Sequence, residues 1–160
     1  MNEPGPLPKI HHISIAAENP EKVAGALAEI LGGRVWPFPA HAGSFMALTG
    51  GPLDVGIEVY PLDVELVQDE ASRQVTFRRA ATSRHTATHA AISVPATQAT
   101  IEAIAAREGW TAQRVQRGPF DFVELWVEDR VMLELFPSDI ENKLRFPAGP
   151  GGPRPGGPPG

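Results

Sequence analysis

The sequence predicts an α+β fold made of two tandem β-α-β-β-β modules. Three observations predict it. Apolar-polar alternation and helical spacing follow one another in the same order twice along the chain. The five-residue stretches "IEVYP" (57–61) and "LELFP" (133–137) each close one of these runs. Punctuating residues also recur in step, because His12 and His89 differ by 77 positions, as do Gly32 and Gly109, while Glu58 and Glu134 differ by 76.

The elements can be justified in order. Prolines at 4, 6 and 8 hold residues 1–8 as an extended N-terminal tail. "KIHHISIAA" alternates and is rich in β-branched residues, so it reads as a strand. "NPEKVAGALAEILGG" follows as a helix, with Asn19 as N-cap, Pro20 in the first turn and paired glycines as the stop. "GRVWPFP", "GSFMALTG" and "LDVGIEVYP" are three strands parted by Gly and Pro turns, completing a first module over 9–66. Residues 67–84 form a polar connector. The second module, 85–145, opens with the strand "RHTATHAAISVP". Its helix "ATQATIEAIAAREG" sets Ile101, Ile104 and Ala105 at helical spacing and ends at Gly109. The strands "TAQRVQRG", "DFVELWVED" and "VMLELFP" follow. The tract 146–160 is almost entirely Pro and Gly, has no side chains for a core, and reads as a disordered tail.

Composition narrows the function. The 160-residue chain is 42% hydrophobic and 21% charged, with a net charge of −5, so no positive field invites nucleic acid or an anionic membrane. No stretch approaches the roughly 18 apolar residues of a membrane span, and the N-terminus lacks a signal-like pattern, so a cytoplasmic protein is expected. With no cysteine, thiolate chemistry and disulfides are excluded, and any metal must be held by His, Asp or Glu.

Strand alternation sorts the candidate residues. His12, Ser14 and Ala16 share one face, and Gly56, Glu58 and Tyr60 share another, leaving Val55, Ile57 and Val59 to pack beneath the helix. In the second module His89 and Ala91 share a face, as do Met132, Glu134 and Phe136. Two imidazoles and two carboxylates on inner faces make an N₂O₂ set suited to a divalent Ni, Zn, Mn, Fe or Co ion, whose charge would relieve the repulsion between the carboxylates. The predicted ligands are His12, Glu58, His89 and Glu134. His11 points to the opposite face and would replace His12 only if the first strand slipped by one residue. His41 and His85 lie in connecting segments and stay in reserve. Trp126, Glu124, Phe45 and Tyr60 are candidates for lining a substrate pocket. Arg78, Arg79 and Arg84 could grip an anionic substrate group or simply be solvated.

"IHHISIAA", "IEVYP", "THAAISV" and "LELFP" together resemble the vicinal oxygen chelate superfamily, which includes glyoxalase I, methylmalonyl-CoA epimerase, extradiol dioxygenases and bleomycin-resistance proteins. The likeness covers about residues 9–138, and the order His, Glu, His, Glu is most similar to glyoxalase I. It implies sheets curled into a cup with the helices outside and the four positions lining a metal site. Two adjacent substrate oxygens would bind the ion, an enediolate would be stabilised, and Glu134 or Glu58 would act as general base. A metal-dependent lyase or isomerase acting on a small molecule, working as a homodimer, is thus implied. The alternatives are a non-enzymatic binding protein of the bleomycin-resistance type and an Fe-dependent extradiol dioxygenase.

Overall fold

The computed structural model describes residues 10–50, 55–68, 75–81, 89–117 and 120–140. The tails expected at 1–8 and 146–160, together with His85 and Arg84, lie outside the described residues. The elements are β1 (His12–Ala17), α1 (Pro20–Ile30), β2 (Arg34–Pro37), β3 (Phe45–Leu48), β4 (Gly56–Pro61), β5 (Val64–Gln68), β6 (Val75–Arg79), β7 (Ala90–Ser93), α2 (Gln98–Glu108), β8 (Thr111–Arg117), β9 (Phe120–Val127) and β10 (Val131–Phe136).

The strands form two four-stranded mixed sheets in the orders β1-β4-β3-β2 and β7-β10-β9-β8. In each, the opening strand runs parallel to the closing strand and the other neighbours are antiparallel. The register repeats as well as the order: Ser14 faces Glu58 across β1 and β4, and Ala91 faces Glu134 across β7 and β10. A residue offset of 77 on one strand and 76 on the other therefore corresponds to the same pairing in space.

Local chemistry accounts for the helices. The Asn19 side chain accepts from the Lys22 N–H and the Thr97 hydroxyl oxygen accepts from the Thr100 N–H, each satisfying a donor that the first turn leaves unpaired. Gly109 ends α2 at φ 75°, a left-handed conformation that costs glycine little. Gly33 is required for another reason, since a Cβ there would lie 1.7 Å from the Leu48 carbonyl oxygen.

One apolar cluster joins the modules. Val23, Leu27 and Ile30 of α1 pack on Ile57 and Val59, while Ile101 and Ile104 of α2 share the cluster with Leu125, Leu133 and Leu135. At roughly 25 cal/mol per Å² of apolar surface, each of these nearly inaccessible side chains contributes about 1.5–3 kcal/mol. Two ion pairs, Arg107 with Glu29 and Lys22 with Glu108, tie the helices together at the surface. The β9–β10 turn of the second module holds the start of α1: the Glu128 carboxylate accepts from the backbone N–H of Glu18 at 2.6 Å and of Asn19 at 2.9 Å.

The segment read as a polar connector holds more order than its polarity suggested. β5 and β6 pair as an antiparallel hairpin that begins inside the expected first module. Among its residues, Phe77 and Leu66 lie directly opposite one another.

Candidate functional site

Sheet pairing places the His and Glu rows away from the helices. Ile57 and Val59 of β4 are 3% and 0% exposed in the core, so the alternate residues Gly56, Glu58 and Tyr60 point to the other face. Glu58 is nevertheless only 7% exposed. A carboxylate so far from water needs partners, and it has them: Ser14 Oγ donates to Oε2 at 2.8 Å and the Tyr60 hydroxyl donates to the same oxygen at 3.2 Å. The second oxygen, Oε1, faces His12 Nε2 at 3.6 Å.

That separation is too long for a hydrogen bond but suits two ligands of one ion. Donor atoms each about 2.1 Å from one ion stand about 3.0 Å apart at octahedral angles and about 3.4 Å apart at tetrahedral ones, within a small side-chain adjustment of this separation. The His12–Glu58 pair therefore fits a divalent metal as one N,O edge of a coordination shell.

The environment of Tyr60 is equally specific. Burial, the Glu58 charge and the hydrogen bond to Glu58, in that order, push its phenol from 10.0 up to about 12. Phe38 meets its ring edge-on at 5.8 Å between centroids, Phe77 lies at 5.8 Å and His41 at 6.5 Å.

The second sheet carries a related row. Glu134 pairs with Glu124 across β9 and β10, and Glu124 pairs with Gln113 across β8 and β9, so the three share a face. Glu124 is 7% exposed and accepts from Gln113 Nε2 at 3.2 Å. Two places along the strand, Trp126 and Met132 face one another on that side. His89 precedes Ala91, the partner of Glu134, by two residues, as His12 precedes Ser14, the partner of Glu58. His12 and His89 also line one cavity of about 440 Å³ between β1 and β7, with Ile13, Ile57, Ile92 and Leu31 among its walls.

Not every expected residue is where the alternation put it. Phe45 pairs with Val59 and packs against the core, on the helix side of the sheet; Met46 pairs with Glu58 and takes the inward position. Phe45 is thus a core residue and does not line the pocket, because the strand's phase is decided by its pairing with β4. Arg78 and Arg79 are engaged within the hairpin region by Glu65 and Asp63, each at 2.7 Å. His41 is near Ser44 and Phe77. The four predicted ligands are not gathered at one point: among the described residues, no group of three or more His, Asp or Glu could hold an ion. His12 and Glu58 of the first module stand within reach of a shared ion, 3.6 Å apart. Ser14 was placed correctly by alternation but given no role. Phe77 was missed, since nothing in a polar connector signals that its one aromatic folds back onto Tyr60.

No protein-family model and no curated protein matches the sequence. Solved structures do match. A glyoxylase/bleomycin resistance protein/dioxygenase domain from Frankia sp. EAN1pec is 16% identical with a TM-score of 0.50, over 81% of this chain and 97% of that one. The fosfomycin resistance protein FosX from Mesorhizobium loti is 11% identical with a TM-score of 0.51, over 81% and 90%. FosX from Listeria monocytogenes is 14% identical with a TM-score of 0.50, over 84% and 96%. The chain has the vicinal oxygen chelate fold. The fold comes with two β-α-β-β-β modules whose inward rows oppose the helices, as the repeated register here shows. Among the described residues, no helix is long and apolar enough to cross a membrane.

Proposed function

We propose that this vicinal oxygen chelate protein is a metal-dependent lyase or isomerase that binds a small molecule through two adjacent oxygens. The observation that carries the reading is the His12–Glu58 pair, 3.6 Å apart, with a buried carboxylate whose other oxygen is already held by two hydroxyls. His12, Glu58, His89 and Glu134 would hold a divalent ion of the Ni, Zn, Mn, Fe or Co type. Such an ion, when bound, acts as a Lewis acid that polarises neighbouring oxygens and acidifies the adjacent C–H.

The chain's own residues supply the rest. Ser14 and Tyr60 fix the Glu58 carboxylate and leave Oε1 as the free donor. Glu134, less buried than Glu124 beside it, is the better placed of the two to take a proton from substrate and return it; Glu58 is the other candidate base. Trp126 and Met132 form an apolar wall along the same row. A homodimer is the arrangement in which the half-sites of two chains complete one another, and cytoplasmic residence accords with such chemistry.

Metal analysis decides the reading. Protein purified without chelator should carry about one Ni²⁺, Zn²⁺, Mn²⁺, Fe²⁺ or Co²⁺ per chain, and His12→Ala should lose it. Mixing chains altered at His12 and Glu58 with chains altered at His89 and Glu134 should restore one of the two sites in each mixed dimer, about a quarter of the wild-type metal at equal amounts, if a site is shared between copies. A wild type that stays empty in all five metals refutes the proposal. It would favour a second reading, a metal-free small-molecule binder, for which the glyoxylase/bleomycin resistance protein/dioxygenase neighbour is the precedent in fold. Binding of fosfomycin or bleomycin to the metal-free protein would then be the measurement to make.

A further inference from the structure

The hairpin between the modules has a task in the first one. We propose that Phe77 is a positioning residue for the Glu58 carboxylate and acts through Tyr60. This rests on reading Glu58 as a metal ligand.

Glu58 has three rotatable side-chain bonds, and a carboxylate free to use them could present either oxygen, or both, to an ion. Two hydroxyl donors on Oε2 remove that freedom. Ser14 reaches Oε2 from the neighbouring strand, where the ladder holds it directly opposite Glu58. Tyr60 lies two residues along β4, and its hydroxyl sits at the end of a long ring; a small rotation at the ring's base moves the oxygen far. Its hydrogen bond is therefore only as fixed as the ring.

Among the described residues, three aromatic rings wall that ring. Phe38 and His41 belong to the first module's own β2–β3 region, and the third, Phe77, comes from β6. Phe77 also packs on His41 at 4.7 Å between centroids, so its removal loosens two walls together. The two strands of the hairpin are held to each other through the Arg79–Asp63 and Arg78–Glu65 pairs and the backbone bond from the Ala80 N–H to the Asp63 carbonyl, and Phe77 is the ring that β6 turns onto His41 and Tyr60. Phe77→Ala would leave space next to the Tyr60 ring, the hydroxyl would lose its hold on Oε2, and Glu58 would meet an incoming ion unorganised.

Two readouts test this on the full-length protein. Tyr60 is the sole tyrosine, so its side-chain NMR signals are unambiguous. The wild type should show a slowly exchanging Tyr60 hydroxyl proton, and calorimetry with Ni²⁺ alone should give the reference affinity. In Phe77→Ala the hydroxyl signal should be lost and Ni²⁺ affinity should fall about tenfold. Phe77→Leu, which keeps most of the bulk, should recover much of both. A Phe77→Ala protein retaining the hydroxyl signal, or losing it with no change in Ni²⁺ affinity, overturns the proposal. If the wild type itself takes up no Ni²⁺, the metal reading falls, and the hydroxyl signal alone then decides whether Phe77 positions the Tyr60–Glu58 pair.

Discussion

Replacing Glu58 by Gln keeps the shape of the side chain and removes its charge, and Tyr60 reports the change. The phenol is held at about 12 by three causes, of which burial is the largest and the Glu58 charge and hydrogen bond are the other two. Glu58→Gln abolishes the second and weakens the third but leaves the ring 5% exposed. The titration midpoint should therefore drop from about 12 and still stay above the ordinary 10.0. Absorbance near the tyrosinate band reads it directly, since there is one tyrosine. The stability consequence has a definite sign. A phenol whose folded pKa is raised adds stability that is complete below about pH 10 and disappears as pH rises to about 12. At about 1.4 kcal/mol per pKa unit, up to about 3 kcal/mol is at stake. Denaturant titrations at pH 9 and pH 12 should show that loss in wild type, a smaller one in Glu58→Gln, and none from this source in Tyr60→Phe. A wild-type Tyr60 that titrates near 10, or one indifferent to Glu58→Gln, would refute the buried-pair geometry.

Other expected outcomes are simpler. Leu133→Ala, at a site with 0% exposure, should cost about 2–5 kcal/mol in denaturant unfolding. Phe45→Ala should lower stability by about 2–4 kcal/mol and leave the Tyr60 titration where it was, because Phe45 lies on the helix side of the sheet; a shifted titration would contradict that placement. Glu128→Ala, which strips two N–H groups at the start of α1 of their acceptor, should cost about 1–2 kcal/mol, with the thermal midpoint as the measure.

The repeated order of strand and helix was legible in the chain because it depends on short-range chemistry. Alternation around His12 and Glu58, caps at Asn19 and Thr97, and the stop at Gly109 are set by residues a few positions apart. The same offsets that suggested duplication reappear as the Ser14–Glu58 and Ala91–Glu134 pairings. Phase within a single short strand was less secure. "SFMAL" offers apolar residues on both faces, so Phe45 and Met46 could not be told apart until β4 supplied the register.

What the sequence determined by itself was thus the class of the fold and its doubling, since 2.0- and 3.6-residue periodicities are properties of a segment and its immediate neighbours. What tertiary structure alone decided was distance. The 3.6 Å between His12 and Glu58, the hold of Ser14 on the carboxylate oxygen that Tyr60 also reaches, and the return of Phe77 onto Tyr60 join residues separated in the chain. Their meeting depends on how whole strands pair and how a hairpin folds back, which local spacing does not encode.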